Sequence, residues 1–241
     1  LLLAVVVSVW RKWQAIPPRE LIRHLIVGGM AHAVWLSAVL GAINLGLSAG
    51  LTAFITALQP ILTGALSARM TGEAVSPREW GGLVLGLLAV GIVIGDGIAL
   101  GGAPIAYVLP FISVIAISIA SLIDRKATNQ GDNQASIMLV AFWHSVASLI
   151  ILTPMAFGFE GFQATWNGEL IFAIIWLAVI VSMAAYGLMF LLLRRIAAAK
   201  VASLIYLSPP VTMMMAWQLF AETVTNAGII GLIIAAIAVS L

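Results

Sequence analysis

The sequence predicts an all-α membrane protein: a polytopic helix bundle of inverted five-helix repeats, with nine segments visible and the first and last incomplete. Three observations predict it. First, 63% of the 241 residues are hydrophobic and only 8% are charged, against about 25% charge in a soluble domain. Mean hydropathy is +1.15. A water-soluble ball of this size could not cover itself with so little polar surface, which excludes a soluble enzyme and a nucleic-acid binder. Second, the apolar residues fall into runs of about 20, the length a helix needs to cross the hydrocarbon core at 1.5 Å per residue. Third, the end of the chain repeats an earlier stretch of it. Cysteine is absent, so there is no disulfide, zinc knuckle or thiol nucleophile to place. Neither a cofactor nor a metal is expected.

Taken in order, the spans fall near 1–9, 21–41, 47–69, 78–96, 103–123, 135–157, 168–193, 198–220 and 226–241. Leu1 to Val9 is apolar from its first residue, with Arg11 and Lys12 after it rather than before it. That order is wrong for a signal peptide and reads as the tail of a span. Pro17-Pro18 precedes the second segment. Ser76-Pro77-Arg78-Glu79 opens the fourth with capping-box spacing and proline at the first helical position. Gly101-Gly102-Ala103-Pro104 opens the fifth, and Asn129-Gln130-Gly131-Asp132-Asn133 separates the fifth from the sixth. The runs are too long for strands and lack period-two alternation.

All 11 basic residues lie in or beside alternate loops: Arg11, Lys12, Arg19 and Arg23; Arg69 and Arg78; Arg125 and Lys126; Arg194, Arg195 and Lys200. By the positive-inside rule these loops are cytoplasmic. The net charge of +2 therefore needs no nucleic-acid partner. A multi-pass protein of the cell inner (plasma) membrane is expected, with the lipid bilayer as its partner.

The repeat has an offset of 149 residues. Pro60 meets Pro209, Glu73 meets Glu222, and Gly82-Leu83 meets Gly231-Leu232, without a gap. Thr63 meets Thr212, and Ala89-Val90 meets Ala238-Val239. The expected domains are 1–96, a first repeat lacking its first helix and part of its second, and 97–241, a second repeat. On the same offset about 46 residues would precede Leu1, giving ten spans as five plus five. An odd number of spans turns the second unit over in the membrane, which is a transporter arrangement.

Two stretches, 49–91 and 198–241, carry an apolar helix with a central proline, a Gly-Glu or Ala-Glu pair, a short turn and a Gly-rich helix. The chain thereby resembles the drug/metabolite transporter superfamily, specifically its EamA-type ten-helix transporters, truncated at the N-terminus. The resemblance implies movement of a small-molecule substrate, often export, by a protein that is not an enzyme. It leaves the substrate open among amino acids, sugars, nucleotide sugars and drugs.

Mid-helix Pro60 and Pro209-Pro210 each remove a helical hydrogen bond and free a carbonyl one turn back, which in lipid must find another partner. One reading is two bent helices lining a central cavity; the other is a kink that serves packing. Thr52, Thr56, Gln59 and Thr63 share one helical face. Gln59 cannot comfortably face lipid. With His32 and Trp35, Tyr107, Tyr186 and Tyr206, these residues (Thr56 and Gln59 foremost) make the candidate substrate-binding set: hydrogen-bonding, aromatic and nearly uncharged. That suits a neutral or zwitterionic metabolite, amino-acid-like or drug-like. Packing remains the alternative for each of them. No carboxylate lies deep in a span, which disfavours proton coupling through Asp or Glu. His32 can relay a proton, bind solute or pack as a neutral ring. His144, beside Trp143, carries less weight.

Glu73 and Glu222 fall on opposite membrane faces and cannot act as one acid–base pair; a capping role at helix ends fits them better. Gly82-x3-Gly86 and Gly91-x3-Gly95 suit close packing, against the last helix of the same chain or in a homodimer. Two further readings stand beside a transporter: a non-transporting membrane scaffold or inactive fragment, and an intramembrane enzyme. The second lacks paired intramembrane aspartates, Gly-x-Ser-x-Gly and His-Glu-x-x-His.

Overall fold

The computed structural model describes residues 8, 13–70, 76–99, 104–131, 135–161, 163–185, 188, 208–222 and 225–240. Among them there is no strand. The helices are α1 (Pro18–Gly28), a π-helical stretch Gly29–Val34, α2 (Trp35–Asn44), α3 (Ala49–Thr56), α4 (Gln59–Met70), α5 (Pro77–Ala99), α6 (Pro104–Asn129), α7 (Ile137–Glu160), α8 (Gly168–Ile175), a second π-helical stretch Trp176–Ala185, α9 (Ser208–Phe220) and α10 (Asn226–Ser240). Among the described residues four helical runs are long and apolar enough to cross a membrane: Pro18–Asn44, Ala49–Ser67, Pro104–Asn129 and Ile137–Phe159. The apolar stretches Trp80–Val93 and Gly168–Val181 are shorter. The first expected segment, 1–9, lies outside the described residues apart from Ser8, as does 198–207 of the eighth.

The punctuation works as its chemistry dictates. Pro17 and Pro18 start α1, where a missing N–H costs nothing. Ser48 caps α3, its hydroxyl accepting from the Leu51 N–H at 3.1 Å. Pro77 is the first residue of α5. Asn167 caps α8, accepting from the Leu170 N–H at 2.8 Å. One expected boundary was short. The segment drawn at 103–123 continues as helix to Asn129, because Asp124, Arg125, Lys126 and Ala127 are all compatible with helix, and cations suit its last turns. At 26 residues the helix is about 39 Å long at 1.5 Å per residue, so its basic end projects past the hydrocarbon.

The chain forms two compact units, residues 1–154 with 209–241, and 155–208. In the first, α6 is the central element: α1, the first π stretch, α2, α3 and α4 all pack on it. Its core gathers Ala42, Phe54, Ile55, Leu58, Ala89, Val90, Val93, Tyr107 and Val114. Separately, α10 packs along α5. A Cβ on Gly231 would run into the Val93 side chain and approach Phe54 at 3.2 Å and the Ala89 carbonyl at 3.4 Å. One on Gly86 would meet Ile61 and Leu58 at 3.0 Å. These glycines therefore serve contacts inside the chain, while Gly91 and Gly95 face open space. In the second unit α8 runs into its π stretch, with the Phe172 and Trp176 rings 5.8 Å apart.

Two elements 149 positions apart begin in step: α5 starts at Pro77 and α10 at Asn226. Shifted by the same offset, Gly29–Val34 falls inside Trp176–Ala185, so the two π stretches coincide in the sequence repeat. A π-helical turn carries an extra residue and recurs at functional positions.

Candidate functional site

Pro60 interrupts the hydrogen-bond ladder within the helical run Ala49–Ser67. α3 ends at Thr56, Ala57 and Leu58 form a turn, and α4 begins at Gln59. The Leu58 N–H reaches back only to the Ile55 carbonyl, at 3.1 Å. The polar residues of this discontinuity meet α6. The Gln59 carbonyl accepts from the Thr63 hydroxyl at 2.7 Å and from the Ser118 hydroxyl at 3.4 Å. The Thr63 and Ser118 hydroxyl oxygens also lie 3.1 Å apart. Thr56, half-buried, donates to the Ala53 carbonyl at 2.9 Å, and Thr52 is buried and donates to the Ser48 carbonyl. The stripe therefore lies against protein, with its hydroxyls bound to backbone and the half-buried Gln59 amide at the break.

Tyr107 is buried in the apolar core with Phe54, Ile55 and Leu58, which are the sequence neighbours of Thr56 and Gln59. His32 and Trp35 stand apart from that group, on the first π stretch and at the start of α2. Tyr186 and Tyr206 lie outside the described residues.

Around His32 the structure assembles Glu20, His24 and His144. His24 is fully buried. Its Nε2 lies 3.4 Å from the carboxylate of Glu20, itself buried and accepting from the Ala135 N–H at 3.1 Å. The His144 ring sits between the other two, its centroid 5.7 Å from that of His24 and 5.6 Å from that of His32. Gly28 makes this possible. It lies four residues from each of His24 and His32, and a Cβ there would collide with the His144 backbone. The spacing His24-x3-Gly28-x3-His32 was the available signal.

Glu222 does cap a helix, but not the one that follows it. Its two carboxylate oxygens accept from the Ala49 N–H at 2.9 Å and the Gly50 N–H at 3.3 Å, at the start of α3. Gly50 lets α9 come close, since a Cβ there would lie 2.9 Å from Met213 Cγ. The chain turns at Ala221, which has a left-handed φ of 53°, and the Glu222 N–H bonds back to the Ala216 carbonyl at 3.3 Å. At the repeat-related position 72 the sequence has glycine. A Cβ in this conformation costs about 1–2 kcal/mol, partly offset by the freedom glycine has when unfolded. Ala221→Gly should therefore stabilise the protein by about 0.5–1 kcal/mol in denaturant unfolding. An unchanged or lower midpoint would contradict the turn.

Among the described residues no three acidic, histidine or cysteine side chains form a metal-binding group. The sequence profile of the EamA-like transporter family matches residues 104–241, more than half of the chain. The chain belongs to the EamA-like transporter family.

This EamA-like chain is 26% identical over 189 residues to the uncharacterized transporter YvbV of Bacillus subtilis, covering 78% of the chain and 61% of that protein. It is 24% identical over 204 residues to a probable amino-acid metabolite efflux pump of Salmonella typhimurium, covering 80% of the chain and 67% of the pump. It is 25% identical over 210 residues to the uncharacterized inner membrane transporter YedA of Escherichia coli K12, covering 87% and 67%. The chain thus spans about three fifths to two thirds of the length of these relatives. The family is one of transporters, not enzymes, and its inner-membrane relative agrees with the apolar helices of this chain.

Proposed function

We propose that this EamA-like chain provides most of a transporter that exports or facilitates a small neutral or zwitterionic metabolite, amino-acid-like or drug-like, by alternating access between two inverted repeats. Family membership is the observation that carries the reading. Three features support the repeats: α5 with α10, and the two π stretches, are related by one offset; the family match begins at residue 104, beside the expected boundary at 97; and basic residues occupy alternate loops. The relatives named as amino-acid metabolite efflux pumps support the solute class. The substrate would sit at the Pro60 discontinuity near Thr56 and Gln59, with His32, Trp35, Tyr107, Tyr186 and Tyr206 as the remaining candidates. A break in a spanning helix leaves backbone and amide groups that can bind solute.

The test is efflux from liposomes that contain the full product of the gene and are loaded with labelled neutral amino acids. Gln59→Leu should lower efflux at least tenfold, since it removes a hydrogen-bonding side chain from the break, while leaving the unfolding midpoint unchanged because Leu is at home in lipid. Normal efflux by a folded Gln59→Leu protein would place the site elsewhere.

A further inference from the structure

We propose that Glu20, His24, His144 and His32 form a proton-sharing site, in which one proton is held among three imidazoles between a buried carboxylate and the exposed His32. This goes beyond solute transport and does not depend on it. Four observations carry it.

The first is geometric. His24 lies 3.4 Å from Glu20, and the two ring-to-ring steps are 5.7 and 5.6 Å. Rings whose centroids lie this close can be joined by one water between nitrogens that face each other, since a water spans two hydrogen bonds of about 2.8 Å each. The second is the orphaned polar atoms. His24 Nδ1 and His144 Nε2 are buried and have no hydrogen-bond partner, and a polar atom left so loses about 1–3 kcal/mol. Three histidines gathered only for packing would leave that cost unanswered; a proton and a water shared along the row answer it. The third is Gly28, whose missing side chain admits the α7 backbone at the point that sets the His144 ring between the other two. The fourth is the π stretch that holds His32, a backbone form that recurs at functional positions.

The chemistry balances without an oxidant or reductant. In each step an imidazolium N–H bond breaks and a new N–H bond forms on the next neutral ring, directly or through the water. The donor ring becomes neutral, and Glu20 accepts or supplies the proton at the buried end. Arg23, 3.7 Å from Glu20, pairs with that carboxylate. α6, packed on α1, brings Asp124, Arg125 and Lys126 at its C-terminal end, and one Asp124 oxygen is buried without a partner. α7 adds the buried Trp143 Nε1, whereas its Ser148 hydroxyl is committed to the His144 carbonyl.

The experiment is a pH titration of the full chain in lipid nanodiscs, with 15N-labelled histidine read by NMR and assigned by single His→Gln variants. Sharing predicts that His24 and His32, whose rings do not touch, titrate as a coupled pair through His144, each curve spread beyond a single-site transition. His144→Gln should turn both into single-site curves and shift each midpoint by at least about half a pH unit. If His144→Gln does not fold, His32→Gln read at His24 carries the same test. Single-site curves in the wild type, or curves at His24 and His32 that His144→Gln leaves in place, would overturn the proposal whether or not the protein transports solute.

Discussion

Glu222→Ala should lower the stability of the protein by about 2 kcal/mol, roughly a thirtyfold change in the ratio of folded to unfolded molecules. The substitution removes both acceptors at the start of α3. Hydrogen bonds to a charged group contribute about 1.5–3 kcal/mol, and a carboxylate at a helix N-terminus adds about 0.3–1 kcal/mol. The side chain is only half-buried, so solvent screening holds the total near the lower end. Glu222→Gln keeps one acceptor oxygen and should lose about half as much. The contact itself can be isolated. Ala49 is the first residue of α3, where proline is tolerated, so Ala49→Pro deletes one donor without breaking the helix. A double-mutant cycle in denaturant should give a coupling of about 1 kcal/mol between the two sites. Additive effects would mean that Glu222 stabilises the fold by some other route.

Gly28→Leu should cost about 3 kcal/mol, the upper part of the range for forcing atoms into a packed contact. Even a Cβ at position 28 collides with the His144 backbone, and the His144 carbonyl is 3.0 Å away. Backbone cannot rotate aside as a flexible side chain can, so α1 and α7 must separate. Gly28→Ala should show a smaller loss in the same direction. Gly91→Leu serves as the control: nothing lies within 4 Å of its Cβ position, and added apolar surface there should leave stability level or slightly raise it. If unfolding in mixed micelles finds Gly28→Leu as stable as the wild type, the two helices do not cross at this point.

The fold class was legible because a bilayer imposes a single rule: apolar runs of about 20 residues become helices, since no other segment satisfies its own backbone in hydrocarbon. The start at Pro77 followed from proline behind a capping serine, which act locally. The end of α6 was missed because a charged helix leaving the membrane looks, by hydropathy, like a loop. The site was less legible. Thr56 and Gln59 stood out as polar residues beside a mid-helix proline, and the helical hydrogen-bond ladder is interrupted there. Tyr107 shows the limit: an aromatic ring with a hydroxyl reads alike whether it lines a cavity or sits in the core with Phe54 and Leu58. The partners of His32 were hidden for another reason. His144 is far away in sequence, and only a crossing of two helices at Gly28 brings its ring beside His24 and His32.

The cap on α3 also fixes an order of events during synthesis. Ala49 and its carboxylate partner are 173 residues apart, and the groove of Phe54, Ala89 and Val93 waits for Gly231 on the last helix. At about 5–20 residues per second, a ribosome needs roughly 10–35 s to make the intervening chain. For that interval the first helices must sit in the bilayer with Ser48 alone capping α3 and with the α5 groove filled by lipid or a chaperone. The nascent chain is exposed to membrane quality control for that interval, and the arrival of Glu222 and Gly231 ends it.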